Sequence, residues 1–504
     1  MSVTLRNTEP MRARGVIAAT VIFLAAVLVV TFRPQVHELA IGGLEWLKPA
    51  HPEDMGNPGM RVVQAAGQML TLDSTGKYFV NTITHKPVFL TGDSPQQLAT
   101  ELCAADVDHY LADRQNRGFN ALWVYVADNI DQSKPPKNCA GDVPFNGTDF
   151  TNFNEKYWSY VDSVIAKAEK RGLIVFIEPG FVGQNAKYGY FHSYSTASSS
   201  TMKGYGTFLG NRYKGYSNVV WSLGGDADPA QKTIYANLAT LAVAIQKADP
   251  NHLITFEACR ATCAKGNDMS SLDALPGPPN WLGINWVYNT RDTVIAGCQR
   301  AWKSGNPIMP PIMGEDWYEL ERSLTSFEVR QEGYWAILSG CYGGRLFGNA
   351  AIYGFNSPNS GVTTPKWKTE LDSVGSISQV HMGELFRSRQ HWKLEPDINH
   401  KVVTAGYGSG LSVTTTARTR EGQSIIAYVP NGHSTTLTVD MSKITSKSSL
   451  AKAWWFNPSN ASTRAIGQFK TSGKQQFTAP DGKDWVLVID DKAAKLPAPG
   501  TKDL

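Results

Sequence analysis

The sequence predicts the α/β fold class: a closed (β/α)8, or TIM, barrel, then a small C-terminal antiparallel β-sandwich, with an N-terminal transmembrane segment. Three observations predict it. Eight short, nearly continuous apolar runs alternate with helical patterns, which indicates a parallel sheet buried on both faces. Several of those runs end in a polar or acidic residue, as barrel strands do when their C-terminal ends feed a pocket. Past Arg389–Pro396 the helical runs stop and apolar and polar residues alternate with period two. An open doubly wound sheet is the competing architecture.

Within residues 1–35, "MRAR" (Met11–Arg14) precedes "GVIAATVIFLAAVLVVTF", Gly15 to Phe32, which carries no charge and is long enough to span a bilayer. Arg12 and Arg14 on its leading side favour a cytoplasmic N-terminus with the rest exported. Glu38 in "HELA" spoils a small-x-small cleavage site, so the expectation is an uncleaved membrane anchor through residues 15–32 with the body extracytoplasmic. Secretion after signal cleavage is the alternative. Residues 36–60 contain "KPAHPEDMGNPGM" and read as a linker.

Residues 61–390 hold the barrel pattern. Its strand candidates are "PVFLTGD", "FNALWVYVAD", "LIVFIEPG", "NVVWSLGGD", "HLITFEACR", "WLGINWVY", "IMPPIMGED" and "RLFGNAAIYGF". Between the second and third, "FNEKYWSYVDSVIAKAEKRG" sets Tyr157, Val161, Val164, Ile165 and Ala168 on one helical face and closes on Gly172. Residues 391–495 give the sandwich strands, among them "SIIAYVP", "STTLTVDMS", "AKAWWFNPS" and "DWVLVID", and 496–504 form a tail.

A net charge of +4 over 504 residues, without a basic block, argues against a nucleic-acid partner. Six cysteines suit an oxidising compartment. Cys103 and Cys139 could join two loops, Cys259, Cys263 and Cys298 allow one bridge with one left over, and Cys341 reads as a buried thiol. No paired CxxC, HExxH or HxH occurs, so neither a metal site nor a cofactor is expected. No GxSxG elbow occurs either, and His252 and His381 read as structural histidines.

The strand-end acids carry the chemistry. Asp93 follows strand 1, Glu178 strand 3, Asp226 strand 4 and Glu315 strand 7. Strands 4 and 7 lie almost across a barrel mouth from each other. Two carboxylates facing over a cleft are what glycoside cleavage needs: one protonates the leaving oxygen, the other attacks the anomeric carbon or activates water. Asp226 and Glu315 are therefore the candidate catalytic pair, with Gly224 and Gly225 expected to let substrate approach the backbone. The plainer reading is that such acids cap the next helix, and "GGDADPAQ" offers Asp226 or Asp228 for that. Flat sugar faces stack on aromatic rings. Trp286, Tyr288, Trp317 and Tyr318, near the ends of strands 6 and 7, are candidate substrate-binding residues together with Asp93, Glu178 and Glu319.

"FLTGDS", "YLADRQNRGFNAL", "LGNRYKGYSNVVWSLGGD", "IMGEDWYE", "VRQEGYWAILSGCYGG" and "LFRSRQHWKLEPD" occur in this order, and with them the chain resembles the DUF4038, or apiosidase-like, glycoside hydrolases from about Val62 to Asp490. The resemblance implies a (β/α)8 barrel followed by a β-sandwich labelled a collagen-binding domain. It implies Asp226 as general acid/base and Glu315 as nucleophile of a retaining mechanism on a carbohydrate substrate. Asp93, Tyr318 and Glu319 match positions that line or brace the pocket. The text departs from the family after strand 5 ("FEACRATCAKG", where a His-Pro pair is usual), after strand 6 ("INWVYNT") and near strand 8 ("GGRLFG", "IYGF"). Barrel geometry would let Tyr288 bond the Glu315 carboxylate, and a purely packing role is the alternative. The rebuilt loops leave a second reading: a non-catalytic carbohydrate-binding or polysaccharide-assembly protein that retains the barrel.

Overall fold

Eight parallel strands close on themselves: β1 Leu90–Asp93, β2 Ala121–Tyr125, β3 Ile174–Glu178, β4 Val219–Ala227, β5 Ile254–Ala258, β6 Leu282–Tyr288, β7 Pro311–Glu315 and β8 Gly344–Phe347. Each pairs with the next in chain order and β8 returns to β1, so the barrel has no free edge. The coordinates are a computed structural model, which describes residues 67–504 except 129–135, 260–268, 276, 305–307, 358–360 and 431–435.

Period-two alternation fills the lumen: Leu90, Trp123, Phe176, Val220, Ile284, Trp286, Ile312 and Leu346 form one buried cluster. Leu70 and Phe79 join it from a small antiparallel sheet (Thr71–Leu72, Phe79–Asn81, Lys86–Pro87) that the sequence reading did not expect. The Met69 N–H donates to the Ser217 carbonyl just ahead of β4, at 2.7 Å, so this sheet closes the N-terminal end of the barrel. The C-terminal end stays open.

The main outer helices are α1 Ala104–Arg117, α2 Glu155–Lys170, α3 Ser199–Tyr213, α4 Lys232–Ala248, α5 Val294–Lys303, α6 Ser326–Leu338 and α7 Val374–Arg387. In α2 the expected face, Tyr157, Val161, Val164, Ile165 and Ala168, is buried, with Trp158 beside it. Asn154 caps its start by accepting the Lys156 N–H, and Gly172 at φ +70° ends it. Helix α6 differs, because every residue from Val329 to Leu338 is buried. Beyond its half-buried first turn it has no solvent face, being enclosed by the barrel on one side and the second domain on the other.

That domain contains β9 Leu394–Pro396, β10 Val403–Ala405, β11 Thr415–Thr419, β12 Ser424–Val429, β13 Thr436–Asp440, β14 Leu450–Phe456, β15 Thr463–Lys470, β16 Lys474–Thr478 and β17 Trp485–Asp491. They form antiparallel sheets in the orders β9-β11-β12-β17-β14-β15 and β10-β13-β16 around Ile425, Val429, Leu437, Trp455 and Leu487. Tyr428 and Val488 on the larger sheet pack with Tyr334 of α6 and Phe386 of α7. The Tyr334 and Tyr428 rings stack 4.7 Å apart, and Arg330 grips Asp484 through two bonds of 2.7 and 2.9 Å.

Cys103 and Cys139 are bridged, as one sequence option had it. The expectation for Cys341 is corrected: it is no free thiol but is bonded to Cys298, because α5 and the end of α6 bring their Cα atoms to 5.4 Å. Cys259 is disulfide-bonded as well, while Cys263 lies outside the described residues. The expected membrane segment 15–32 and linker 36–60 also lie outside them. Among the described residues no helix is long and apolar enough to cross a membrane.

Candidate active site

Both candidate catalytic acids leave their strands through bulges. Along β4 the pairing with β5 runs from Leu223 opposite Phe256 to Ala227 opposite Ala258, so Gly224, Gly225 and Asp226 occupy the space of a single partner residue. All three have positive φ, at +121°, +41° and +64°. A side chain on Gly224 would put its Cβ 1.9 Å from the Glu257 carbonyl oxygen. The glycine pair therefore serves the backbone itself, and the expected role in substrate approach is corrected: neither Gly224 nor Gly225 lines the cavity. Along β7 the register slips by one residue against β6, bringing Glu315 opposite Tyr288. Gly314 permits this, since its Cβ would strike the Trp286 ring at 2.0 Å.

Asp226 and Glu315 line one cavity of about 570 Å³ at the C-terminal end of the barrel. Tyr125, Phe181, Tyr188, Tyr288, Tyr318 and Tyr353 supply aromatic wall, and Gln96 and Gln184 supply amides. Tyr125 and Phe181 stack at 5.3 Å, a flat face suited to a sugar ring. Gln184 Nε2 reaches Asp226 Oδ2 at 3.3 Å, on a loop held in place by the Gly183 N–H donating to the Gly225 carbonyl at 2.9 Å. The Tyr318 hydroxyl donates to the Glu315 carboxylate and accepts from Gln96 Nε2 at 2.8 Å. Burial, and then the Glu315 charge, push the Tyr318 hydroxyl far above its usual range. Neither Asp226 nor Asp228 caps the next helix: α4 starts after Gln231 with no side-chain cap, and Asp228 only closes the preceding turn, its Oδ1 accepting the Ala230 N–H at 2.8 Å.

Five other candidates are corrected as substrate-binding residues, since none is among those that line the cavity, and Asp93 and Glu319 take the bracing alternative instead. Asp93 is buried and bonded to Tyr110 at 2.6 Å and Arg114 at 3.2 Å, which braces β1 against α1. Trp286 belongs to the barrel core, with its ring 4.9 Å from that of Trp123. Trp317 is covered by the Arg322 guanidinium 3.7 Å over its ring. Glu319 accepts from Ser326, Ser373, Asn349 and the Gly375 N–H, tying the segment after β7 to α7. Glu178 is fully buried with Ser222 and the Gly224 backbone nearest to it, and burial raises its carboxyl far above the usual range. In each case the residue type is right for a sugar site but its neighbours occupy it.

The sequence reading missed Glu257. It sits at the end of β5, on the inward-facing alternate positions of that strand, fully buried. Its Oε2 accepts the Asp226 backbone N–H at 2.9 Å. Burial first, then the Glu315 and Asp226 charges, push its carboxyl far above the usual range. The strand-end rule that selected Asp226 would have found it in "HLITFEACR". Phe181, Gln184, Tyr188 and Tyr353 come from loops, where no periodicity marks them.

Residues 74–393 match the family model described as "Apiosidase-like, catalytic domain", and residues 400–490 match "Putative collagen-binding domain of a collagenase". A solved structure described as a glycoside hydrolase is similar with a TM-score of 0.72 at 23% identity, covering 84% of this chain and 97% of that one. A glycoside hydrolase family 5 structure from Bacteroides vulgatus gives 0.71 at 21% identity, covering 86% and 95%. At such identities the likeness speaks for the fold alone. No curated relative matches the chain. Because the first model spans more than half of the sequence and all eight barrel strands, the chain belongs to the apiosidase-like glycoside hydrolases.

Proposed function

We propose that the cavity hydrolyses a glycosidic bond in an oligosaccharide or polysaccharide by a retaining mechanism, with Asp226 as general acid/base and Glu315 as nucleophile. The observation that carries this reading is that both acids, delivered by bulges on β4 and β7, line one aromatic-walled cavity. Glu315 attacks the anomeric carbon while the bond to the leaving oxygen breaks, and that oxygen takes the Asp226 proton. Water then displaces Glu315 from the sugar and returns a proton to Asp226. The test is a glycan panel offered to the chain without its first ~50 residues, the length that removes the apolar segment needed for a membrane span. Release of a reducing sugar whose anomeric configuration matches the substrate supports the reading; inversion refutes the retaining step.

The Tyr318 hydroxyl stabilises the ionised form of Glu315, so its loss should raise the pH at which the nucleophile becomes protonated. In Tyr318→Phe the acid limb of the kcat/KM profile should move upward by about 1 pH unit, the scale of one hydrogen bond to a charged group. The alkaline limb, set by Asp226, should stay in place. An unmoved acid limb would show that Tyr318 does not act on Glu315.

Export with an uncleaved anchor at residues 15–32 is part of the same proposal. It is supported by that apolar run and by the Cys103–Cys139 and Cys298–Cys341 bridges, which persist outside reducing compartments. The full chain should sediment with membranes, and protease added outside the sealed cell membrane should reach the barrel. A full-length chain found in the cytosolic fraction would refute export.

A further inference from the structure

Asp226 is held in a backbone conformation that an aspartate rarely adopts, at the tip of a bulge with two glycines before it. Three φ values of one sign in a row do not persist unless surrounding groups fix them. One fixing group is visible: the Asp226 N–H, which in an ordinary ladder would bond to a neighbouring strand carbonyl, bonds to the Glu257 side chain at 2.9 Å instead. The Glu257 carbonyl lies against the same bulge, leaving no room for a Cβ on Gly224. We propose that Glu257 is a positioning residue for the Asp226 carboxyl, holding the β4 bulge in its productive shape through the N–H that it accepts. This rests on the glycosidase reading above and assigns a role that the two-carboxylate scheme leaves empty.

The surroundings indicate which form of Glu257 does this. Facing it are Glu178 from β3, Asp226 from β4 and Glu315 from β7, with the hydroxyls of Tyr125 from β2 and Tyr235 from α4. A further negative charge buried among those acids is unfavourable, and the carboxyl therefore keeps its proton. Its Oε2 accepts the bulge N–H, and Oε1 has no partner among the described residues. A neutral Glu257 leaves the charges of the catalytic pair undisturbed. Glutamine should do the same work, since its amide oxygen accepts the same N–H without a charge.

The experiment compares Glu257→Gln, Glu257→Ala and Asp226→Asn on a substrate found in the glycan panel and on its aryl glycoside with an activated leaving group. Glu257→Gln should keep kcat within about 3-fold of wild type with both pH limbs unmoved, as expected where no charge is lost. Glu257→Ala should lower kcat by about 100-fold with KM nearly constant, the cost of misplacing a reacting group. That loss should shrink on the activated leaving group, which needs little protonation, whereas a merely structural role would lower both substrates alike. Wild-type kcat in Glu257→Ala, beside an inactive Asp226→Asn, overturns this proposal and leaves the glycosidase reading intact. An Asp226→Asn variant that keeps wild-type kcat on the natural substrate overturns the reading itself. If the alanine variant fails to fold, Glu257→Gln still decides: a 100-fold loss, or an alkaline limb moved by more than about 1 unit, would mean an ionised Glu257 and would end the proposal.

Discussion

Asp226→Asn and Glu315→Gln should both nearly abolish hydrolysis, and they should differ in which substrates escape. Asparagine at 226 cannot give a proton to the leaving oxygen, which is expected to lower kcat by about 10²–10⁴ on natural glycosides. A leaving group that departs without a proton should recover most of the first step. Breakdown of the covalent intermediate would then limit the rate, because the base that activates water is missing too. Glutamine at 315 cannot form the intermediate, and the loss should be on the order of 10⁵ or more whatever the leaving group. Rates with an aryl series would separate the two. If Glu315→Gln were rescued by a better leaving group and Asp226→Asn were not, the roles would be exchanged. If both retained activity, the pair would be wrong.

Gly224→Ala should be among the most damaging changes of a single methyl group in the barrel. The added Cβ meets the Glu257 carbonyl oxygen at 1.9 Å, and the backbone sits at φ +121°, which is costly for any residue with a Cβ. Strain of about 1–3 kcal/mol and overpacking of about 1–3 kcal/mol act together, since the atoms it meets are Glu257 backbone, not the free end of a flexible side chain. Relief would come by flattening the bulge, which withdraws Asp226 from the cavity, so activity should fall with stability. Gly204 in α3 is the control: nothing lies within 4 Å of its Cβ position, and alanine there should gain up to about 1 kcal/mol. Denaturant unfolding of both variants checks the contrast, and a Gly224→Ala protein as stable as wild type would refute the account of the bulge.

The barrel was legible because its strands are buried on both faces and its helices on one. "LIVFIEPG" and "NVVWSLGGD" could be little else, and α2 showed its face at helical spacing. The two cavity-lining acids, Asp226 and Glu315, were legible because a glycine before a strand-end acid marks a backbone that departs from the ladder. Composition hid the distinction between an acid that lines the cavity and one that braces it. Asp93 and Glu319 look like Asp226 in sequence; only the arrival of Arg114, or of Ser326 and Ser373, from distant segments neutralises or satisfies them. The closing sheet around Phe79 was missed because strands of two or three residues carry too little periodicity to be seen. Cys341 was misread because its partner is 43 residues away and meets it only when α5 and α6 pack together.

Helix α6 gives the C-terminal domain a stake in the chemistry. Arg330 and Tyr334 grip the sandwich through Asp484 and Tyr428, while Gly333 rests on the Arg345 side chain. Arg345 in turn clamps Asp316 at 2.7 Å, the residue next to Glu315. One helix thickness, about 10 Å, is all that stands between the two grips. Glu315 is thus aligned from outside the barrel as well as from within, with the sandwich as its buttress, and the two domains would have to diversify as a single machine.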